Sequence, residues 1–432
     1  MFIFASLIRR RKVYPKKETS MRIESLYLKN FRNIKEARYS FNPHFTVLIG
    51  VNGRGKSTWL HAFRVACGAY LLAIPDTVKR HIAPDEIRWE TFGTFVVNAK
   101  PVAVEATGYF PDFDEIVTWR RRVLEGKTVT TSNYEDVGVV RDLGKQKYLT
   151  MKGGSDDLNL PVIAFFGTSR VHGPGRTRST RIGREIFKQG YHSWYEMRSS
   201  IFGYESWLAS YSILVQNGKE YAETGEAFWE AVRLANPYIE DIRFEHGEVW
   251  LKVAMDDYTS EFLPMRLHSD GIISFTEMAA ELAYRCIVLN GNKRERAIKD
   301  TTGVVMIDEL DLHLHPNWQR HVVSDLKRAF PGIQFVATTH SPFIVQSLAS
   351  DELINLDRSV ETAPGDLPID RVATIFMGVK SEFSENSDDL EKKSAAIIRG
   401  LNNDQPVDDQ INEISNPAVR AFLELAKMAN GQ

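Results

Sequence analysis

Cysteine is almost absent from this chain. Cys67 and Cys286 are its only two, one in each half, and neither belongs to a CxxC pair. That excludes a disulfide framework and a cysteine zinc site, and it points to a reducing, cytoplasmic setting. Long apolar runs are missing as well. The opening MFIFASLI is too short to span a bilayer, and its basic cluster follows the apolar run, the reverse of a secretion signal. Residues 1–20 therefore read as a disordered extension ahead of a well-patterned strand beginning at Met21. There is no heptad array, tandem repeat or low-complexity tract, so a long coiled coil or a repeat array is not expected. Charge of one sign is lacking too. A formal net charge of −2 gives no global attraction to nucleic acid or acidic lipid, and any such binding needs a local patch.

What is present is ample material for a core: 432 residues, 43% of them hydrophobic, enough for one to three domains. RIESLYLKNFRNIKEARYSF alternates apolar and polar residues, which predicts a hairpin, and HFTVLIG then predicts a buried strand over Phe45 to Ile49. WLHAFRVACGAYLLAI has the length and spacing of a helix packed on that strand. From about 92 to 150 the pattern is again β, and LPVIAFFG reads as another buried strand. Residues 181–237 are aromatic-rich at helical spacing and read as a helical insertion. DIRFEHGEVWLKVAM predicts a hairpin turning at His-Gly. ISFTEMAAELAYRCIVL predicts a helix, and VVMIDE and IQFVATTH predict buried strands with a helix between them. From about 360 the chain is polar and mostly helical.

GVNGRGKST matches G-x-x-x-x-G-K-[ST] through Gly50, Gly55, Lys56 and Ser57, with the required strand before it and helix after it. Glycines let the backbone wrap around phosphate so that its N–H groups and the helix N-terminus face negative charge. Asn52, Gly53 and Thr58 complete the candidate nucleotide-binding set. Lys56 is expected to reach the β- and γ-phosphates of ATP, and the Ser57 hydroxyl to ligate Mg²⁺. The second half of such a site is a buried strand ending in carboxylates, and VVMIDELDLHLHP supplies one. Asp308 is assigned to Mg²⁺, through water, and Glu309 to the polarisation of the attacking water. His313 and His315, spaced i, i+2, have no cysteine or third histidine near them in sequence and are read as structural or dimer-contact residues.

The whole set, LKNFRNIKEARYSF leading into VLIGVNGRGKST with VVMIDELDLHLHPNWQ and IQFVATTHSPFIV far downstream, resembles the RecF/SMC-like branch of the ABC-type ATPases. It is most similar to the compact ATPases of bacterial anti-phage defence, such as the Septu ATPase, and to the ATPase half of overcoming-lysogenization-defect nucleases. The resemblance covers roughly residues 21 to 350. It implies an α/β fold: an ABC-type P-loop head with an antiparallel β subdomain and a helical lid insertion, over residues 21–359, and no long coiled coil. It also implies that His340 in ATTHSP is a switch histidine sensing the γ-phosphate, and that Asp311 falls in a D-loop. Ser269, Asp270 and Gly271 match the signature core that acts across a dimer on the partner's nucleotide. Ile272 departs from the family, where Gln or Glu is common. Arg170, in AFFGTSR, stands about where the family has its Gln-loop.

By the same resemblance the chain is expected to hydrolyse ATP as a homodimeric clamp that regulates a partner nuclease, of HNH type, in anti-phage defence. A RecF-like DNA-repair clamp is the alternative. An autonomous nuclease is disfavoured, because the segment after residue 350 falls short of a typical domain of roughly 100–150 residues. Residues 360–432 are read instead as a tail for docking or oligomerisation. SRVHGPGRTRSTRIGR offers Arg170, Arg176, Arg178, Arg181 and Arg184 as a phosphate-tracking surface for DNA, with Arg120 to Arg122 adding to it. A solvated loop and a charged strand edge explain the same residues equally well.

Overall fold

The computed structural model of the protein describes residues 20–131, 133–155, 158–171, 186–196, 203–218, 222–255, 258–358, 362–379, 385–401, 407–414 and 416–429. The chain divides into two compact units, Met1–Ile369 and Asp370–Gln432.

The first unit begins with the expected hairpin, β1 (Arg22–Phe31) and β2 (Ile34–Ser40), paired antiparallel. β3 (Phe45–Ile49) is buried at every residue and feeds α1 (Lys56–Leu71), which is buried along most of its length. A small hairpin, β4 (Trp89–Phe92) with β5 (Phe95–Asn98), precedes β6 (Val102–Tyr109) and β7 (Val117–Val123). β6 and β7 join the first hairpin in an antiparallel sheet of order β2-β1-β6-β7.

The β pattern read up to about 150 ends early, because Tyr134–Lys152 is a helix, α2. Val137, Val140 and Leu143 recur every three residues and are buried, a helical face that the neighbouring strands obscured. Gly144 completes that face. A Cβ there would lie 2.0 Å from the Tyr70 carbonyl oxygen, so α2 can touch α1 only at a glycine.

β8 (Val162–Phe166) is again fully buried. In the insertion region the described residues form α3 (Ile186–Gly190), α4 (Tyr204–Gln216) and α5 (Ala222–Ala235), as its spacing suggests. β9 (Ile239–Glu245) and β10 (Glu248–Met255) form the hairpin turning at His246 and Gly247, both at positive φ (53° and 83°) as a tight primed turn requires. Two short strands, β11 (Tyr258–Thr259) and β12 (Leu263–Pro264), pair with β10.

α6 (Asp270–Asn290), at 21 residues the longest helix among the described residues, leads to β13 (Gly303–Ile307). Then follow α7 (Pro316–Gln319), α8 (Val322–Ala329), β14 (Ile333–Thr338), α9 (Pro342–Gln346) and β15 (Leu353–Asn355).

The central sheet has the order β15-β3-β14-β13-β8, and every pairing in it is parallel. Strands buried on both faces read as continuous apolar runs, which is why this sheet was legible. Its carboxyl edge gathers the ends of β3, β13 and β14, the place where open α/β sheets bind ligands. A buried glutamine ties the two sheets together: Gln334 on β14 accepts from the Ile23 amide and donates to the Ile23 carbonyl, both at 2.8 Å.

The second unit holds α10 (Ile369–Met377, starting at the boundary), α11 (Glu385–Leu401), α12 (Asp408–Asn412) and α13 (Pro417–Ala429). Its core is small: Ile397, Leu401, Val407, Ile411, Ile414 and Leu423. Among the described residues no helix is long and apolar enough to cross a membrane. Residues 1–19, read as a disordered extension, lie outside the described residues.

Candidate nucleotide site

β3 ends at Ile49, and the chain turns through Gly53 (φ 87°) and Gly55 (φ 100°) before α1 starts at Lys56. Both glycines hold the left-handed backbone that other residues adopt only at a cost. The first turn of α1 carries no acidic side chain, so its exposed N–H groups keep their full attraction for an anion. Lys56 Nζ donates to the Gly50 carbonyl at 2.7 Å, folding back over the loop. Burial lowers the Lys56 pKa, and the carboxylates of Asp357, Asp308, Glu309 and Asp311 work against that.

The loop is braced from both flanks. Asn33, from the β1–β2 turn, donates to the Gly53 carbonyl at 2.8 Å and accepts from Thr58 Oγ1 at 2.8 Å. Asp357, just after β15, accepts from the Val51 amide at 2.7 Å and pairs with Arg54 at 2.8 Å. The loop's shape is therefore held by contacts from its own chain. Asn33→Ala removes two of these bonds at about 1 kcal/mol each; ATP affinity should fall roughly 5- to 30-fold by calorimetry, and unchanged affinity would remove Asn33 from the site.

At the end of β13, Asp308 Oδ1 accepts from Ser57 Oγ at 3.3 Å and from Thr338 Oγ1 at 2.6 Å. Glu309 follows at φ 49°, its amide donating to Thr338 Oγ1 at 2.8 Å. His340 is exposed two residues past the end of β14. Asp311 Oδ1 accepts from the Thr339 hydroxyl and, at 3.1 Å, from the His340 amide, so it anchors the segment that carries the histidine. Asn52, Gly53, Gly55, Lys56, Ser57, Thr58, Asp308, Glu309 and His340 line one cleft of about 400 Å³, together with Arg32, Asn33 and Thr338. Sequence reasoning missed these last three. Thr338 had a signal, a hydroxyl ending an otherwise apolar buried strand, whereas Arg32 and Asn33 look like ordinary turn residues.

Ser269, Asp270 and Gly271 do not line this cleft. Ser269 is the N-cap of α6 with no side-chain cap bond, and both it and Asp270 are exposed. Gly271 is buried against the 313 turn, where a Cβ would lie 2.2 Å from the His313 carbonyl oxygen. Ile272, where the resemblance implied Gln or Glu, is 4% exposed and belongs to the buried core.

Three expectations need correction. Arg170 is 4% exposed and bonds backbone carbonyls inside the protein, so it cannot track DNA, and it does not line the cleft as a Gln-loop residue would. Arg176, Arg178, Arg181 and Arg184 lie outside the described residues. WRRRV is not a free basic patch either: Arg121 is fully buried, and Arg120 and Arg122 pair with Glu105 and Asp136. His315 Nδ1 accepts from the Asn317 amide at 3.3 Å, capping α7.

The site can take magnesium. Ser57 and Asp308 offer adjacent hard oxygens, and Mg²⁺ is held by one or two protein groups with phosphate and water supplying the rest. Among the described residues no cluster of three or more His, Cys, Asp or Glu is arranged for a metal.

Residues 25–223 match a family model described as an AAA domain, and residues 206–346 one described as an AAA domain, putative AbiEii toxin, Type IV TA system. The retron Ec83 probable ATPase of Escherichia coli is 40% identical over 85 residues, which is 20% of this chain and 15% of that protein. The Septu protein PtuA of Bacillus thuringiensis is 51% identical over 59 residues, 14% of this chain and 15% of that one. The two AAA-domain matches run over residues 25–346, and short stretches of the chain are similar to retron, Septu and RecF proteins. The RecF protein of Desulfitobacterium hafniense is 31% identical over 91 residues, 20% of the chain and 23% of RecF. The aligned stretches are thus a small part of these relatives. Among solved structures, the SMC head domain from Thermotoga maritima is 15% identical, with a TM-score of 0.42 over 76% of this chain and 92% of that one.

Proposed function

We propose that this ATPase domain hydrolyses ATP with magnesium as a clamp of two copies, and that the clamp controls a partner nuclease, of HNH type, in anti-phage defence. One observation supports it above the others. The cleft collects Lys56, Ser57, Asp308, Glu309 and His340, while Ser269 and Asp270 stand exposed at a long helix's N-terminus outside it. A helix N-terminus suits phosphate, and in this chain it is free to meet a second copy's nucleotide.

In this reading the loop amides and Lys56 hold the phosphates, and Ser57 and Asp308 hold the metal. Bound magnesium neutralises charge on the phosphate oxygens. Glu309 accepts the proton of the attacking water, and His340 senses the γ-phosphate from across the cleft. Asp311 keeps that histidine's backbone in place from within its own chain. Closure around ATP is a two-state event that biases a bound partner. The retron and Septu relatives support the defence setting. The RecF matches support the second reading, a clamp at DNA.

Two inactive variants test the clamp. Lys56→Ala disables the loop and Ser269→Arg obstructs the signature helix; each alone should hydrolyse ATP at under about 1% of the normal rate. Mixed one to one, about half the dimers are heterodimers with one intact composite site, so roughly a quarter of the activity should return. A mixture no better than its parts, or full activity of Ser269→Arg alone, would overturn the clamp. A tagged chain held with a non-hydrolysable ATP analogue should bring nuclease activity with it through purification, and its absence would count against that partner.

A further inference from the structure

We infer that Arg170 is a positioning residue for hydrolysis: its buried guanidinium holds the Asp308–Glu309 backbone in the turn that aims the Glu309 carboxylate into the cleft. The inference rests on the reading of Glu309 as the base. Beyond Ile307 the chain leaves the ladder with β14 and β8, so the Asp308 carbonyl loses the partner a continuing strand would supply. A buried carbonyl without a donor is costly. Arg170 donates from Nη1 to the Asp308 carbonyl and from Nη2 to the Glu309 carbonyl, each at 2.6 Å, the second carbonyl also accepting from the Leu312 amide at 3.0 Å. Nη1 also donates to the Gly167 carbonyl at 3.1 Å, tying this turn to the end of β8.

On the opposite side Thr338 bonds the Asp308 carboxylate and the Glu309 amide. The two grips meet at Glu309, whose φ of 49° is uncommon for a residue with a side chain and persists only when its surroundings impose it. Burial pulls the Arg170 pKa down to about 10, against the nearby charges of Asp308, Glu309 and Asp311, which still leaves the group cationic at neutral pH. A planar fork making two parallel bonds is something arginine does and lysine cannot. Arg170 is absent from the cleft lining, so its effect must pass through the backbone it holds.

The test uses the full chain with Arg170→Lys, Arg170→Met and, as a control, Glu309→Gln, measuring kcat, KM, affinity for a non-hydrolysable ATP analogue and thermal unfolding. Arg170→Met should lower kcat about 10- to 100-fold, with KM and analogue affinity within about 3-fold of normal. Arg170→Lys, which keeps the charge and one of the two bonds, should recover part of that loss. If the methionine variant does not fold, the lysine variant decides alone, with kcat down about 3- to 10-fold at unchanged affinity. Near-normal kcat in the arginine variants beside an inactive Glu309→Gln would overturn the inference and leave the base assignment standing. Equal losses of affinity and kcat would also overturn it, as the mark of a general structural role. An active Glu309→Gln would sink the base assignment itself.

Discussion

Glu309→Gln should reduce ATP turnover by about 10²- to 10⁴-fold, the range a positioned general base contributes, while ATP binding survives. The amide has the shape of the carboxylate but cannot accept the proton of the attacking water. The fold should tolerate the change because Glu309 is held by its backbone: Thr338 bonds its amide and Arg170 its carbonyl. Neither contact needs the side chain. ATP that binds and is not cleaved should keep the clamp closed, so the variant should accumulate as a nucleotide-bound dimer. Phosphate release, calorimetry and sedimentation velocity measure the three expectations separately. Turnover within tenfold of normal would rule out Glu309 as the base, and a monomer with bound ATP would detach the dimer from the nucleotide.

The second large effect concerns stability and lies away from the cleft. Glu277 on α6 is half-buried, and its pKa is pushed up to about 8 by burial first and then by the charges of Glu205 and Glu281. Glu281 itself is fully buried and pairs with Arg285 at 2.9 Å, leaving Glu277 without that counter-charge. The folded pKa therefore lies above the unfolded value of 4.5, so the folded chain binds the proton more tightly. The stability this provides is complete below about pH 4.5 and is lost as pH rises through about 8. A shift of that size corresponds to an effect on the order of 2–5 kcal/mol. Unfolding temperature should thus fall between pH 6 and 9. Glu277→Gln should flatten that slope and be the more stable chain at pH 9, with little difference at pH 5. A variant that loses stability at pH 9 would show that the carboxylate is needed in its charged form.

The legible parts of this protein are those where one short segment carries the whole instruction. GVNGRGKST needs only its own glycines and lysine to specify an anion-binding turn, and VVMIDE needs only its apolar run and two carboxylates to specify a buried strand with an acidic end. β3, β8, β13 and β14 were readable because a parallel sheet buried on both faces leaves no polar alternation to confuse with a helix. α2 was misread for the opposite reason. It is short of apolar residues, it follows three true strands, and its decisive contact is Gly144 against the Tyr70 carbonyl, which no local pattern records.

Arg170 shows the same limit in chemical terms. In sequence it heads an arginine-rich loop and looks like a residue for DNA; in the fold it is buried among carbonyls that only the β8–β13 pairing brings to it. Asn33, Thr338 and Asp357 behave likewise, since each acts on a backbone group of another segment, 20, 29 and 306 residues away along the chain.

By itself, then, the sequence determined the phosphate-binding loop, the acid-ended strand and the strands around them, because those depend on periodicity and on residue chemistry over a few positions. Only the tertiary structure decided what holds that machinery in register: Asn33 and Asp357 on the loop, Thr338 and Arg170 on the Asp308–Glu309 turn, and Ile272 turned into the core behind an exposed Ser269. These roles come from directional hydrogen bonds and close packing between segments that lie from 20 to 306 residues apart, and such partners exist only once the parallel sheet has brought its strand ends to one edge.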